Sequence, residues 1–94
     1  MRDPDFSDEY YAEREARLRE LMPLVREALP QETQAWFKEF LDHGEYGLAV
    51  EVASEAIPDD PQASAVQLAN ALLREAEVMR LDSVATRLRE VTAR

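Results

Sequence analysis

His43 and Glu45 stand on either side of Gly44, and Asp59 and Asp60 stand side by side before Pro61. These are the residue types from which proton transfer or metal binding is built. An imidazole beside a carboxylate can shuttle a proton, but a zinc site wants three or four ligands, and this chain has one His and no Cys. A calcium loop needs oxygen ligands alternating over about twelve residues around a central Gly, which Asp59-Asp60 lacks. No Gly-rich loop is present to cradle a phosphate, and no nucleophile motif appears. The simpler roles are structural. His43 finishes a helix, where a partly positive ring suits the dipole, Glu45 opens the next, and Asp60 caps a helix starting at Pro61. We therefore expect no catalysis, no metal and no cofactor.

What the chain holds in quantity is carboxylate. Twenty Asp and Glu against eleven Lys and Arg give a formal charge of -9, and the excess is uneven. Residues 1–60 carry 16 acidic and 6 basic side chains, whereas residues 61–94 carry 4 and 5. Nucleic acid and anionic membrane both demand a basic face, so neither is an expected partner, and a basic protein is the natural complement. The contact surface is expected at Asp42, Glu45, Tyr46, Glu51, Glu55 and Asp59, with Glu32, Glu39 and Asp60 adding to the same negative field. Tyr46 is the expected aromatic anchor, because Tyr is enriched at binding hot spots. Tyr10 and Tyr11 are expected at the edge of the core.

These residues need a scaffold, and its punctuation is helical. Only two Gly and five Pro occur in 94 residues, and no strand pattern competes. An apolar fraction of 46% suffices for one core, so we expect a flexible arm over residues 1–6 and a single helical domain over 7–94. Ser7 is a helix cap, with Asp8 and Glu9 suited to the positive end of the dipole. Leu18, Leu21, Val25 and Leu29 recur at helical spacing, and Pro23 predicts a kink or break near Leu21-Met22. A second helix starts at Pro30, and its cluster of Trp36, Phe37, Phe40 and Leu41 is expected at the centre of the core. Gly44 ends that helix in the left-handed conformation. A third runs from about Glu45 to Ile57, burying Leu48, Ala49, Val52, Ala53 and Ile57. The fourth begins at Asp60-Pro61 with Val66, Leu68, Ala69, Leu72, Leu73 and Met79 as apolar content. A cap at Asp82 separates a last helix through Val84, Leu88 and Val91. No residue pattern recurs at about 34 to 47 residues, so a compact antiparallel bundle of four to five helices is the expected all-α fold.

The stretch around these turns also resembles a known family. Leu29-Pro30, Trp36 through Leu41 and, above all, Gly44-Glu45-Tyr46-Gly47-Leu48-Ala49-Val50-Glu51 are similar to small MafI-type immunity proteins, bacterial antidotes encoded beside polymorphic toxins. The likeness covers roughly residues 29–57. It implies a helical protein that binds a cognate toxin domain, often a nuclease, and blocks it by protein-protein contact, with no catalytic residues of its own. The N-terminus lacks an apolar leader and no run approaches the roughly 20 residues of a membrane span, so a cytoplasmic monomer or weak homodimer is expected. The alternative is an adaptor or oligomerisation module, using a stripe such as Leu81, Val84, Leu88 and Val91.

Overall fold

The computed structural model describes residues 7–93, and the expected arm over residues 1–6 lies outside them. Six helices follow one another: α1 Asp8–Glu20, α2 Met22–Ala28, α3 Gln31–Asp42, α4 Tyr46–Ala56, α5 Ala63–Val78 and α6 Asp82–Thr92. No strand interrupts them among the described residues, so the chain is an all-α bundle. There are six helices instead of four to five, because the break at Pro23 separates two full helices and the turn after α5 is complete. Ser7 starts α1 as expected, its hydroxyl accepting the Tyr10 amide at 3.1 Å. Leu21 closes α1 and opens α2, which leaves Pro23 in the first turn of α2, where a missing N–H costs nothing.

Burial sorts the apolar residues more finely than their spacing did. Leu18, Val25 and Leu29 are buried, and Leu21 is half-buried, so the first stripe stands. On α3 the core takes Phe37 and Leu41, whereas Trp36 is 47% exposed and is not the centre of the core. Neighbouring helical positions point about 100° apart, so Phe37 and Trp36 cannot both face inward. The same correction applies on α4. Tyr46, Ala49, Val50, Ala53 and Ser54 face the core, Val52 is half-buried, and Leu48 is 44% exposed. Small residues on the inner face let the backbone of α4 approach its neighbours closely, and the bulkier Leu48 is displaced outward.

α5 is the longest helix, buries seven residues and packs against α2, α4 and α6. It begins after Gln62, two residues beyond Asp60, so Asp60 does not cap it. Asp82 likewise sits inside the first turn of α6, with Leu81 as the flanking residue. Leu88 and Val91 of the expected outward stripe are buried in this core, and Leu81 and Val84 are half-buried against it. That stripe is already used within the chain.

Two turns share one backbone solution. After α3, the Gly44 amide bonds the Leu41 carbonyl at 3.1 Å and the Glu45 amide bonds the Phe40 carbonyl at 2.8 Å. After α5, the Arg80 amide bonds the Glu77 carbonyl at 3.2 Å and the Leu81 amide bonds the Ala76 carbonyl at 2.9 Å. Both are Schellman closures, with the pivot residue left-handed at φ 70 for Gly44 and φ 59 for Arg80. Arg80 follows Gly44 by 36 positions, and the bounds of α6 repeat those of α4 at the same offset. The backbone therefore recurs where no residue pattern does.

Charged side chains then tie distant helices together. Arg14 on α1 is 5% exposed, and its Nη1 donates to Oε1 of Glu75 on α5 at 2.6 Å. Burial pushes the Glu75 carboxyl up, with Arg14 opposing the rise, and the Nε of Arg14 has no partner among the described residues. Arg87 on α6 donates to the carbonyls of Ser54 and Ile57 at 3.0 and 2.8 Å, satisfying the negative end of α4.

Such a buried pair contributes more to register than to net stability, since desolvation offsets most of its attraction. Glu75→Ala should cost about 3 kcal/mol in urea unfolding, because it leaves a buried guanidinium with only the exposed Glu13, 3.2 Å from its Nη2, as an ion-pair partner. The double variant Arg14→Met with Glu75→Leu should recover most of that loss. A double variant as unstable as Glu75→Ala would show that the pair stabilises outright.

Candidate functional site

The turn between α3 and α4 forms one side of an open groove. Its Schellman closure brings Gly44 and Glu45 to the start of α4, whose first turns then carry Gly47, Leu48 and Glu51 along one wall. Tyr10 and Tyr11 of α1 form the facing wall, and Met79 and Leu81 from the second turn close one end. The volume of the groove is about 490 Å³. Gly47 keeps it open: a Cβ there would lie 3.9 Å from Cδ2 of Leu81 and 4.0 Å from Cε of Met79, ordinary contact that narrows the space without a clash.

Aromatic rings support the wall of α1. Tyr10 and Tyr11 meet edge to face with centroids 5.3 Å apart, and Tyr11 leans on Tyr46 at 6.5 Å. Tyr46 is only 8% exposed and belongs to the core, with its hydroxyl donating to Oε1 of Glu15 at 2.8 Å. Burial pushes the Tyr10 hydroxyl above its usual range, against the opposing charge of Arg14.

A chain of charges runs from this hydroxyl along the base of the turn. The other oxygen of Glu15 accepts from Nε of Arg19 at 2.9 Å, and Nη2 of Arg19 reaches Oδ1 of Asp42 at 3.1 Å. Lys38 completes it, with Nζ 2.7 Å from Oδ2 of Asp42. The hydrogen bond from Arg19, seconded by that from Tyr46, holds Glu15 below the usual carboxylate range. Lys38 and then Arg19 do the same for Asp42. His43 sits beside this network with Nδ1 2.8 Å from the Glu39 carbonyl. That bond favours the protonated ring and raises its pKa, with the charges of Glu39, Glu45 and Asp42 adding to the effect.

The six residues expected at the contact surface therefore separate. Glu45 and Glu51 stand at the groove. Tyr46 also lines it with the 8% of its surface that stays exposed, the rest lying in the core, and Asp42 is held by two cations. Glu51 and Glu55 also edge a smaller cleft of about 220 Å³ beside Arg87 on α6. Asp59 follows the far end of α4, whose 11 residues span roughly 16 Å at the helical rise. Sequence reasoning missed Glu15, Met79 and Leu81, which reach the site only through tertiary contact. Gly47 was the readable signal, since a Gly inside an amphipathic helix marks a close approach or a needed space.

Among the described residues, no group of three or more His, Cys, Asp or Glu is placed to hold a metal ion. No helix among them is long and apolar enough to cross a membrane. An apolar, aromatic floor with carboxylates at its edge suits a side chain that is apolar along its stem and cationic at its tip. Comparison with protein-family models, curated proteins and solved structures returns no match for this chain.

The charge chain sets a pH dependence of known sign. Carboxylates whose folded pKa is depressed contribute stability above their unfolded pKa and lose it as pH falls through the folded value. Arg19→Gln should therefore raise the pKa of both Glu15 and Asp42, read from carboxyl carbon shifts in an NMR titration. It should also reduce the loss of stability on acidification from neutral pH to about pH 3. Unmoved carboxyl titrations would mean that Arg19 does not hold these groups.

Proposed function

We propose that this chain is an immunity protein that binds a cognate bacterial toxin domain in a stoichiometric complex and keeps it inactive inside the producing cell. The observation that carries this reading is a coincidence of place. The segment Gly44 to Glu51, which resembles MafI-type immunity proteins, is the segment that walls the acid-edged groove. The partner is a basic protein domain, with nucleases the foremost class, because an enzyme that holds RNA or DNA presents a basic cleft. Neither nucleic acid nor membrane is engaged directly, and the chain needs no cofactor and catalyses nothing. It acts in the cytoplasm as a monomer or weak homodimer.

Division of labour within the groove follows from the physics of interfaces. Glu45 and Glu51 are exposed, so their charge guides encounter and adds little to the lifetime of the complex. Residence depends on the apolar floor, where Leu48 stands 44% exposed before any partner arrives. Burial of Leu88 and Val91, with Leu81 and Val84 half-buried against them, supports this reading over an adaptor that would present that stripe to another chain.

Tagged protein captured from lysate of its own organism should retain the C-terminal domain of a large secreted toxin, and less of it as salt rises. Recovery of only itself or housekeeping complexes, while neighbouring toxins are expressed, would overturn the proposal. With the partner in hand, Glu45→Lys together with Glu51→Lys should lower the association rate about tenfold, leaving unfolding unchanged. Gly47→Ala should behave oppositely on two axes. It should raise stability by about 0.5 to 1 kcal/mol through helix propensity while weakening binding, because its methyl occupies the groove.

A further inference from the structure

Outside the groove, α3 presents a second surface with its own chemistry. Trp36 is the one Trp in the chain and is 47% exposed. Its ring stacks on Phe40 with centroids 5.7 Å apart and planes 26° from parallel. Phe40 is itself packed partly into the core, so the indole rests on a ring that the core supports while nearly half of its own surface is exposed. An aromatic side chain of this size forfeits considerable apolar burial when left half in water, and here a smaller neighbour, Phe37, has taken the inward position.

Two carboxylates flank the ring. Glu32 lies one helical turn before Trp36 and Glu39 one turn after it; both are exposed, and neither enters an ion pair among the described residues. Lys38 is the only Lys or Arg of α3 and is engaged by Asp42 at 2.7 Å, so neither carboxylate is ion-paired, although Glu39 also acts on the charge of His43 just after the helix. A flat π face between two acceptors fits one side chain better than any other. A guanidinium stacks on the ring through its plane and offers its forked donors to the carboxylates at the edge. An ammonium satisfies the charge but cannot stack.

We propose that Trp36, flanked by Glu32 and Glu39, is a docking site for an arginine on a basic protein segment. The site goes beyond the groove and does not depend on the partner being a toxin. It gives this acidic chain a second point of contact that reads side-chain shape as well as charge, selecting arginine over lysine. Arg-bearing and Lys-bearing partners of equal charge are thereby distinguished.

Because Trp36 is the chain's sole Trp, its fluorescence reports on this site alone. The emission should change saturably when the protein is titrated with an alternating Gly-Arg peptide, and a Gly-Lys peptide of equal length should bind about threefold or more weakly. Glu32→Gln with Glu39→Gln should weaken the arginine peptide about threefold to tenfold, with the helical circular dichroism spectrum retained. The Arg-to-Lys ratio tests the same idea in the unaltered protein. Absence of a saturable change, equal affinity for the two peptides, or an unaltered response in the double variant would overturn the proposal. Emission that shifts with protein concentration before peptide is added would assign the face to a second copy of the chain, and would overturn it as well. Capture of a toxin domain, or failure to capture one, leaves this measurement untouched, so the two readings fall separately.

Discussion

Two residues in the left-handed region, Gly44 and Arg80, determine how the chain turns back on itself. Each lets a helix end by returning two amide protons to its own last carbonyls, so the chain can turn within three residues without stranding polar groups. The groove lies between these two turns: Gly44 and Glu45 come from one, Met79 and Leu81 from the other. Gly47 is where they approach, within ordinary contact of both Met79 and Leu81 once a Cβ is added. The site is therefore a product of the closure geometry. The second turn achieves with Arg what the first achieves with Gly, and a non-Gly residue in this region carries a local cost of about 1 to 2 kcal/mol that the surrounding packing must offset.

Formal charge and available charge differ widely in this molecule. The sequence carries twenty carboxylates, yet Glu75 is buried against Arg14, Glu15 and Asp42 share Arg19 and Lys38, and Glu77 meets Arg89. Those groups hold helices in place and offer little to a partner. What a partner meets is the remainder, which includes Glu45 and Glu51 at the groove and Glu32 and Glu39 beside Trp36. Each of these exposed groups contributes little alone. In the proposed complex their effect is to orient an approaching basic surface before apolar contact forms.

Much of this was legible in the residues, and the failures share a cause. Ser7, Pro23, Gly44 and the stripe Leu18, Val25, Leu29 act through local geometry, and the structure follows them. Trp36 and Leu48 were assigned inward because they are large and apolar, but each adjoins an equally suitable inward residue, Phe37 or Ala49. A choice between positions 100° apart is made by the opposing helix, which no local pattern contains. Asp60 failed for a related reason: a cap residue before Pro is a strong start signal, yet the helix begins at Ala63 and the intervening residues form the connection to α4. Tyr46 looked like an anchor because it stands among acidic residues in sequence. In space it stands beneath Tyr11 and against Glu15, 31 positions away.

Burial of Tyr46 strengthens the groove that it helps to line. A Tyr that must be ordered on binding costs side-chain entropy at that moment, whereas one already fixed by the core and by Glu15 has its entropy lost during folding. Tyr46 thereby holds the wall of α1 against the start of α4, through Tyr11 on one side and the Glu15 carboxylate on the other. Arg19 and Asp42 extend that brace to the end of α3. The groove is consequently bounded by α1, α4 and the two turns, whose relative positions are set by the fold itself. A preformed apolar surface with exposed carboxylates at its edge separates two demands on any binding site: exposed charge hastens encounter, and fixed shape slows departure.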